Sequence, residues 1–545
     1  MNCSLKTISI LIISLMMYSC SYQQVPADLI VHNAKIYTVD NNFSIVEAMA
    51  IKDGLIIETG PERQIMNKYH ADQIIDAGKK PVYPGLIDAH CHFLGYGFSL
   101  QRVNLVGTNS WNEVVERVDQ FVKQYNPIII EGRGWDQNDW DIKSFPDNSM
   151  LNEHYPNTPV FLKRIDGHAA IANRPALDLA GILPGQNIDG GVIETKGNFL
   201  TGLLIDNAVD LVKNALPAPS EQEITRALLA AQKKCFEVGL TTVDDAGLDK
   251  SSILLIDKLQ QAGDLKMRVY AMISDKPENL DYFFETGKIK TERLNVRSVK
   301  LYADGALGSR GACMLHPYSD EPENRGFLLA SKAHFDEVAS QCFEFGFQLN
   351  THCIGDSANR LLTDVYIKYL KGTNDLRWRI EHAQVVNKND VDKFNRFNII
   401  PSVQPTHATS DMYWAEDRLG PDRITDAYAY QTLLKTNGLL ALGTDFPVEK
   451  ISPLLTFYAA VSRKDVKGYP DGGFNMNDAL TREQALKGMT IWAAISNFEE
   501  DEKGSLEVGK LADFIILEKD LMKIPIEEVP EVKVLQTFIN GEKAF

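Results

Sequence analysis

Apolar strand-like segments alternate with longer amphipathic helical segments through most of this chain. The clearest strand-like segments are residues 239–243, 299–303, 346–350 and 439–443, and the clearest helical ones are 221–236 and 332–345. Two successive strands joined by a helix run parallel, because the helix carries the chain back along the sheet. Repeated over roughly 400 residues, this alternation predicts an α/β fold built as a (β/α)8 TIM barrel.

The two ends of the chain show a different pattern, of short strands and tight turns. Residues 28–83 and 504–545 both have this pattern, and each contains a turn signal of the Asp-Gly or Asn-Gly type. Neither end has a core alone, so we expect both to pack together as one small β-sandwich. The barrel then occupies residues 84–503. Residues 103–215 exceed what one strand–helix unit needs and are expected to form an insertion over the barrel mouth.

The first residues are typical of an export signal. A lysine precedes an apolar segment that is too short to span a bilayer. The pair Ser19-Cys20 resembles a bacterial lipobox, although the two residues before it depart from the commonest pattern. We expect a signal peptide at 1–19, lipidation of Cys20 and a tether at 20–27. The protein would then be an exported lipoprotein, anchored to a membrane and facing the periplasm. A buried N-terminal helix is the alternative.

The composition restricts the partners of this chain. A formal net charge of -17 argues against binding to nucleic acid, since a phosphate-binding surface needs clustered lysines and arginines. A hydrophobic content of 44% with 24% charged residues is ordinary for a soluble globular protein. The cysteines beyond Cys20 are scattered and odd in number, which does not fit a disulfide framework. The charge says nothing more specific about the substrate. A small-molecule substrate is expected from the motifs described below, and a homodimer is left open.

Residues 84–92, with the sequence PGLIDAHCH, contain two histidines two positions apart. On a strand, alternate side chains point to the same side, so Asp88, His90 and His92 would share one face. Two neutral imidazoles aimed at one point make half of a divalent metal site. The alternative is a buried strand with two incidental histidines, because this pair also occurs by chance.

Four further residues of metal-ligand type follow apolar strands later in the chain. They are Lys300, His352, His382 and Asp445. In a barrel of this kind the strands end at the face where catalytic side chains gather. Each residue has a structural alternative: a hydrogen-bonded loop histidine, an aspartate that caps a helix, or a lysine paired with a buried carboxylate. The ordered set of six is far less expected by chance than any single member.

The predicted insertion supplies candidates for substrate binding. Trp135 and Asp136 begin a segment rich in aromatic and polar groups, which predicts a pocket wall. The alternative is an aromatic cluster that packs the insertion onto the barrel. Arg164, Asp166 and His168 arrive together at the end of another apolar strand. We expect them to bind substrate or leaving group, with a buried ion pair as the alternative.

Two barrel loops add further candidates. Asp304 opens a glycine-rich loop that lacks the phosphate-binding pattern, and we expect this loop to shape the floor of the site near Lys300. His407 follows the seventh strand and is a candidate substrate ligand, with a surface imidazole as the alternative. Glu381 lies next to His382, so strand alternation predicts that it faces away from the metal and closes an ion pair within the barrel.

The order of these motifs resembles that of the amidohydrolase superfamily: His-x-His on the first strand, then lysine, histidine, histidine and aspartate. The resemblance covers nearly the whole chain after the export signal, including the return into a composite sandwich at 502–513. Longer motifs are similar to the amidohydrolase-3 branch, which includes N-substituted formamide deformylase. These motifs are residues 134–136, 164–170, 304–310 and 444–448.

The resemblance implies a role for each residue of the centre. His90 and His92 would bind a more buried metal, and His352 and His382 a more exposed one. Lys300 would bridge them as a carbamate, and Asp445 would bind metal and carry protons. Zinc is the default metal for such ligands. A metal-activated water would then hydrolyse a non-peptide C–N bond in an amide-like substrate, N-formyl or N-acyl compounds being examples.

Three points stay open at this stage. One metal ion or two could bind, and a single ion is favoured if Lys300 is not carbamylated. A ring aminohydrolase of the same superfamily is the alternative enzyme, although such deaminases usually lack the bridging lysine. A non-catalytic relic is the alternative from another class, and it predicts that ligand positions are missing.

Overall fold

The computed structural model describes residues 24–164, 169–188, 191–372 and 374–545, except for the side chains of Asn138 and Asp206. The predicted signal peptide, Cys20, Asp166 and His168 lie outside the described residues.

Eight parallel strands follow one another around a barrel in chain order. They are Leu86–Cys91, Leu240–Leu248, Arg268–Ser274, Leu294–Tyr302, Gln348–Cys353, Arg379–His382, Ile400–Val403 and Ala441–Leu442. The predicted (β/α)8 barrel is confirmed.

Helices connect the barrel strands and cover their outer side. Those that follow the barrel strands include Phe93–Leu100, Lys250–Gln261, Pro277–Thr286, Lys332–Phe345, Asp356–Tyr369, Val391–Arg396, Pro405–Asp411, Ala415–Arg423, Tyr430–Asn437, Pro453–Ser462, Arg482–Gly488 and Ile491–Ser496. The helix Glu221–Glu237 precedes the second strand and begins with a capping box, in which Ser220 and Glu223 bond each other's backbone amides. Within the described ranges, none of the helices is long and apolar enough to cross a membrane.

The barrel closes where the last strand meets the first. The backbone amide of Asp445 donates to the carbonyl of His90 at 2.8 Å, and that of His92 donates to the carbonyl of Phe446 at 2.8 Å. Gly443 permits this approach, because a Cβ there would lie 2.6 Å from the amide nitrogen of His90. Closure therefore brings the end of the eighth strand directly beside the His-x-His segment.

The two chain ends form a pair of sheets that share one core. The first sheet contains Val25–His32, Ala48–Lys52, Leu55–Gly60 and Tyr69–Asp76. The second contains Lys35–Tyr37, Ile45–Val46 and Pro81–Pro84 from the N-terminal end and Phe514–Leu517, Val534–Ile539 and Glu542–Lys543 from the C-terminal end. Side chains from both sheets meet in one buried apolar cluster, among them Leu29, Ile51 and Phe514. The composite sandwich predicted from both ends is therefore present.

A separate sheet lies between the first and second barrel strands in the sequence. Its strands are Val103–Asn104, Ile130–Trp135, Val160–Arg164, Ala169–Ala172, Gly191–Lys196 and Phe199–Asp206. The helices Trp111–Tyr125, Ser149–His154, Arg174–Leu179 and Asn207–Ala215 belong to the same segment. This insertion has two apolar clusters of its own, one on each face of the sheet. Its position over the barrel mouth stays a prediction.

Candidate metal centre

Six side chains from five places on the barrel meet at the carboxyl end of its strands. They are His90, His92, Lys300, His352, His382 and Asp445. The Oδ1 atom of Asp445 lies 3.2 Å from His92 Nε2 and 3.8 Å from His90 Nε2. The Nζ atom of Lys300 lies 3.2 Å from His90 Nε2. The ring of His382 lies 4.5 Å from that of His352 and 4.8 Å from that of His90, measured between centroids.

Three of the histidines are oriented by a hydrogen bond on the far side of the ring. His90 Nδ1 lies 2.5 Å from a carboxylate oxygen of Glu381, and His92 Nδ1 lies 3.1 Å from the carbonyl of Ala246. His382 Nδ1 lies 2.6 Å from the amide oxygen of Gln404. Each partner is an acceptor, so each Nδ1 carries the proton and each Nε2 presents a lone pair to the centre. Metal-binding histidines are held in this way.

Several buried atoms that face the centre lack a hydrogen-bond partner. Among the described residues, His352 Nε2, His407 Nε2 and Asp445 Oδ1 are buried and have no hydrogen-bond partner. The carboxylate oxygen of Asp445 faces the imidazole lone pair of His92 at 3.2 Å, which brings two acceptors together. A cation between them would remove the repulsion, and nitrogen with carboxylate oxygen is a ligand set that suits zinc. The residues therefore fit a divalent metal.

Two groups of three side chains meet the geometry that an ion requires. The first is His90, His92 and Asp445, and the second is His382, His407 and Asp445. Within each group the candidate ligand atoms lie within 4.8 Å of one another. Because Asp445 belongs to both groups, the arrangement is compatible with one ion or with two.

Burial sets the charge of these side chains. Desolvation, followed by the charge of Lys300, lowers the pKa of His90 to about 4 and that of His352 to about 3. Burial likewise lowers the pKa of Lys300 to about 8. Burial alone would raise the pKa of Asp445, but the close approach of His407 and His92 to its carboxylate outweighs burial and holds that pKa well below the usual range. Neutral imidazoles and an ionised carboxylate are the forms that bind metal.

His407, which was predicted to bind substrate, lies directly beside two of the metal-ligand candidates. Its Nε2 atom is 3.5 Å from Asp445 Oδ2, and its ring stacks on that of His382 with 5.8 Å between centroids. Burial would lower the pKa of His407, but the neighbouring carboxylate of Asp445 raises it. His407 is therefore placed to hold Asp445 or to bind metal itself. The histidine pattern alone did not distinguish it from a surface imidazole.

The carboxylate of Asp304 is buried and held by the main chain, and its role in substrate binding stays a prediction. Its carboxylate accepts backbone amides of Cys313 at 2.8 Å, Ile354 at 3.0 Å and Gly355 at 2.8 Å. It thereby ties the loop after the fourth strand to the end of the fifth, next to His352. These three amides hold the carboxylate in place, and its Oδ1 atom lies 3.9 Å from His352 Nε2.

The two residues of the predicted pocket wall, Trp135 and Asp136, differ in their surroundings, and their role in substrate binding stays a prediction. Trp135 is fully buried, its indole nitrogen donates to the carbonyl of Leu162 at 2.9 Å, and its ring contacts those of Trp111 and Trp140. It is a core residue of the insertion, because the aromatic cluster excludes it from solvent. Asp136 and Arg164 form a partly buried ion pair. This matches the alternative interpretation of Arg164 as a member of an ion pair.

Glu381 faces the barrel interior and not away from the metal ligands. One carboxylate oxygen accepts from Arg379 Nε at 2.7 Å, which is the ion pair predicted for it, but the other contacts His90. The prediction of its direction was wrong because His382 adopts a φ of 71°. A left-handed residue interrupts strand alternation, so neighbours in sequence can both face the centre.

Tyr302 is a site residue that the sequence patterns missed. It lies two positions after Lys300 on the fourth strand and therefore shares its face. Its ring lies 5.7 Å from that of His352, and Lys300 Nζ lies 4.8 Å from the ring centre. The side chain is 39% exposed. Alternation from Lys300 was the signal that could have found it.

Comparison with known proteins agrees with this geometry. A model of the amidohydrolase family matches residues 73–545. The protein LONG AFTER FAR-RED 3 of Arabidopsis thaliana is 32% identical over 539 residues, which cover 95% of this chain and 92% of that protein. N-substituted formamide deformylase of Arthrobacter pascens is 26% identical over 544 residues, covering 94% of this chain and 97% of that enzyme.

A solved structure of a metal-dependent hydrolase is also similar to this chain. The crystal structure of an uncharacterized metal-dependent hydrolase from Pyrococcus horikoshii superposes with a TM-score of 0.80 and 28% identity. The superposition covers 91% of this chain and 99% of that one. The family model spans most of the chain and the relatives align over nearly all of it. The motifs, the barrel and these matches together show that the chain belongs to the amidohydrolase family.

Proposed function

We propose that this protein is a metal-dependent hydrolase of a non-peptide C–N bond in an amide-like substrate, with N-formyl and N-acyl amines as the first class to test. The observation that carries the proposal is the convergence of ligand atoms of His90, His92 and Asp445 within 4.8 Å of one another. Asp445 Oδ1 is buried there and has no hydrogen-bond partner among the described residues. The likeness to N-substituted formamide deformylase supports the substrate class.

The positions of the side chains in the candidate centre suggest which residues would bind the metal. His90, His92 and Asp445 would hold one ion, and His382, His407 and Asp445 would hold a second. His352 is a further candidate for the second ion, because its ring lies 4.5 Å from that of His382 between centroids. When bound, a divalent metal such as zinc lowers the pKa of water from 15.7 to about 7 and polarises a carbonyl oxygen. This supplies a nucleophile and an electrophile at neutral pH.

Asp445 is the residue that moves the proton. Its carboxylate is ionised at neutral pH, so it can accept the proton from the attacking water on one oxygen. It then donates that proton to the leaving nitrogen, which departs as a neutral amine. His407, 3.5 Å from Asp445 Oδ2, keeps the carboxylate in one orientation during both transfers.

Lys300 is suited to carry a carbamate. It is fully buried, its pKa is lowered to about 8 by burial, and carbon dioxide reacts only with the neutral amine. Asn350 lies beside Lys300 in the register of the fourth and fifth strands. Both polar atoms of its side chain are buried and lack a partner among the described residues, so this amide could hydrogen-bond a carbamate. We include this modification in the proposal.

The alternatives fit less well. A ring aminohydrolase of this fold would not need the lysine, yet Lys300 lies 3.2 Å from His90 at the centre. The solved structure of an adenosine deaminase from Xanthomonas campestris shares only the fold, at 13% identity. A non-catalytic relic predicts missing ligands, and all six are present and brought together.

A substrate panel tests the proposal. The purified full chain, supplied with zinc, is incubated with N-formyl amines, N-acyl amines, aminated heterocycles and dipeptides. We expect release of formate or carboxylate together with a free amine from the first two classes. Ammonia release from heterocycles would favour the aminohydrolase, and cleavage of dipeptides alone would contradict the proposed bond class.

Tyr302 is expected to orient the substrate. Its phenol stays protonated at neutral pH, because burial of the ring raises its pKa to about 12, so the hydroxyl can donate to a developing oxyanion. Gly247, with a φ of 90°, makes room for that hydroxyl, since a Cβ there would lie 3.2 Å from it. We predict that Tyr302→Phe lowers kcat by about 10²-fold, the typical effect of removing one oxyanion donor.

Steady-state kinetics on the best substrate of the panel measures this effect. KM and metal content are expected to stay near the wild-type values, because the phenylalanine ring keeps the contact with His352. Tyr413→Phe is the matched control, since its hydroxyl pairs with Asp465 on an exposed loop. A wild-type kcat for Tyr302→Phe would remove Tyr302 from the mechanism.

A further inference from the structure

The innermost metal ligand is in contact with a buried carboxylate. His90 and Glu381 are both fully buried, and His90 Nδ1 lies 2.5 Å from Glu381 Oε2. They come from the first and the sixth barrel strands, so the contact crosses the interior of the barrel. Among the described histidines of the centre, His90 alone has a carboxylate in this position. His92 and His382 have neutral acceptors instead.

The contact with Glu381 identifies the tautomer of His90. Glu381 accepts a hydrogen bond, so Nδ1 must carry the proton. Nε2 is then without a proton and presents its lone pair to the centre, where Lys300 Nζ lies 3.2 Å away.

Glu381 is itself held in one orientation. Its second oxygen accepts from Arg379 Nε at 2.7 Å. Arg379 is also fully buried, and its remaining donors reach Asp244 at 2.9 Å, Ser402 at 3.1 Å and the carbonyl of Ala89. Ala89 is the residue before His90. The guanidinium thus ties the carboxylate to the strand that carries the ligand, and the carboxylate has no freedom to turn away.

We propose that Glu381 is a positioning residue that sets the tautomer and raises the metal affinity of His90. A carboxylate that accepts from Nδ1 makes the imidazole a better electron donor at Nε2, and loss of such a partner typically weakens metal binding 10- to 100-fold. The inference rests on the proposed metal centre. It goes beyond that centre because Glu381 is not itself a ligand, and it acts through His90.

Glu381→Gln is the direct test. Glutamine offers one oxygen and one NH2 group, whereas Arg379 and His90 both present donors, so one contact must be lost. If the NH2 group faces His90, the ring changes tautomer and points a proton at the metal position. Competition with a chromophoric chelator measures zinc affinity. We expect zinc to bind about 10- to 100-fold more weakly to the variant than to the wild-type protein.

Glu499→Gln is the matched control. Glu499 is also a buried glutamate with two cationic partners, Lys290 at 2.7 Å and Lys503 at 2.7 Å, and it contacts none of the metal ligands. Its replacement is expected to lower thermal stability but to leave zinc affinity unchanged. An equal loss of affinity in both variants would mean that Glu381 acts only through stability, and unchanged affinity in Glu381→Gln would overturn the inference.

A second measurement needs no variant of Glu381. NMR of metal-free wild-type protein labelled with 15N-histidine reports the tautomer, because the two ring nitrogens of a neutral histidine differ in chemical shift. The signals of His90 are assigned as those that disappear in the His90→Gln variant. We expect a protonated Nδ1 and a bare Nε2. The opposite tautomer would overturn the inference. A wild-type protein that binds no zinc at all would instead refute the proposed metal centre.

Discussion

Replacing Asp445 with asparagine is expected to lower kcat by about 10³-fold, within the range for a residue that transfers protons. The carboxylate faces His90 and His92 on one oxygen and His407 on the other. Asparagine keeps the shape but cannot accept a proton from water near neutral pH. It also places an NH2 group against one of these imidazoles, so zinc is expected to bind more weakly. Activity at saturating zinc separates the two effects.

Asp478→Asn is the control for Asp445→Asn. Asp478 is a buried aspartate that accepts the backbone amide of Thr432 at 2.9 Å, and it contacts none of the metal ligands. Its replacement should change stability and leave kcat near the wild-type value. If zinc-saturated Asp445→Asn kept the wild-type kcat, another group would have to move the proton.

Removal of divalent metal is expected to abolish hydrolysis almost completely. Metal ions contribute several kcal/mol to transition states of this kind, which corresponds to a loss of at least about 10³-fold. Dialysis against a chelator, followed by assay on the best substrate of the panel, measures the loss. Activity should return when zinc is added in equivalents of the chain. Full activity in protein shown to be metal-free would contradict the proposed mechanism.

The fold and the ligand set could be predicted from sequence because both produce a regular pattern of residues along the chain. Alternating strands and helices indicated the barrel, and each ligand follows an apolar strand. Strand ends meet at one face of a barrel, so residues as distant as His90 and Asp445 could be expected to meet. The contact at 3.8 Å between these two side chains follows from barrel closure at Gly443.

Other features could not be predicted because they depend on local departures from regular geometry. His382 has a left-handed backbone, so strand alternation counted from His382 gives the wrong direction for Glu381, which lies on the same side as Arg379 and contacts His90. The carboxylate of Asp304 is taken by three amides whose positions depend on a long loop. Trp135 belongs to an aromatic cluster of the insertion, and composition alone does not separate a cluster from a pocket wall.

Anomalous X-ray scattering from crystals of the zinc-loaded protein tests the central claim most directly. The account predicts an anomalous peak about 2.0–2.2 Å from Nε2 of His90, Nε2 of His92 and a carboxylate oxygen of Asp445. A second peak near His382 would add the second ion. Zinc bound only elsewhere, or the absence of any peak among these side chains at saturating zinc, would contradict it.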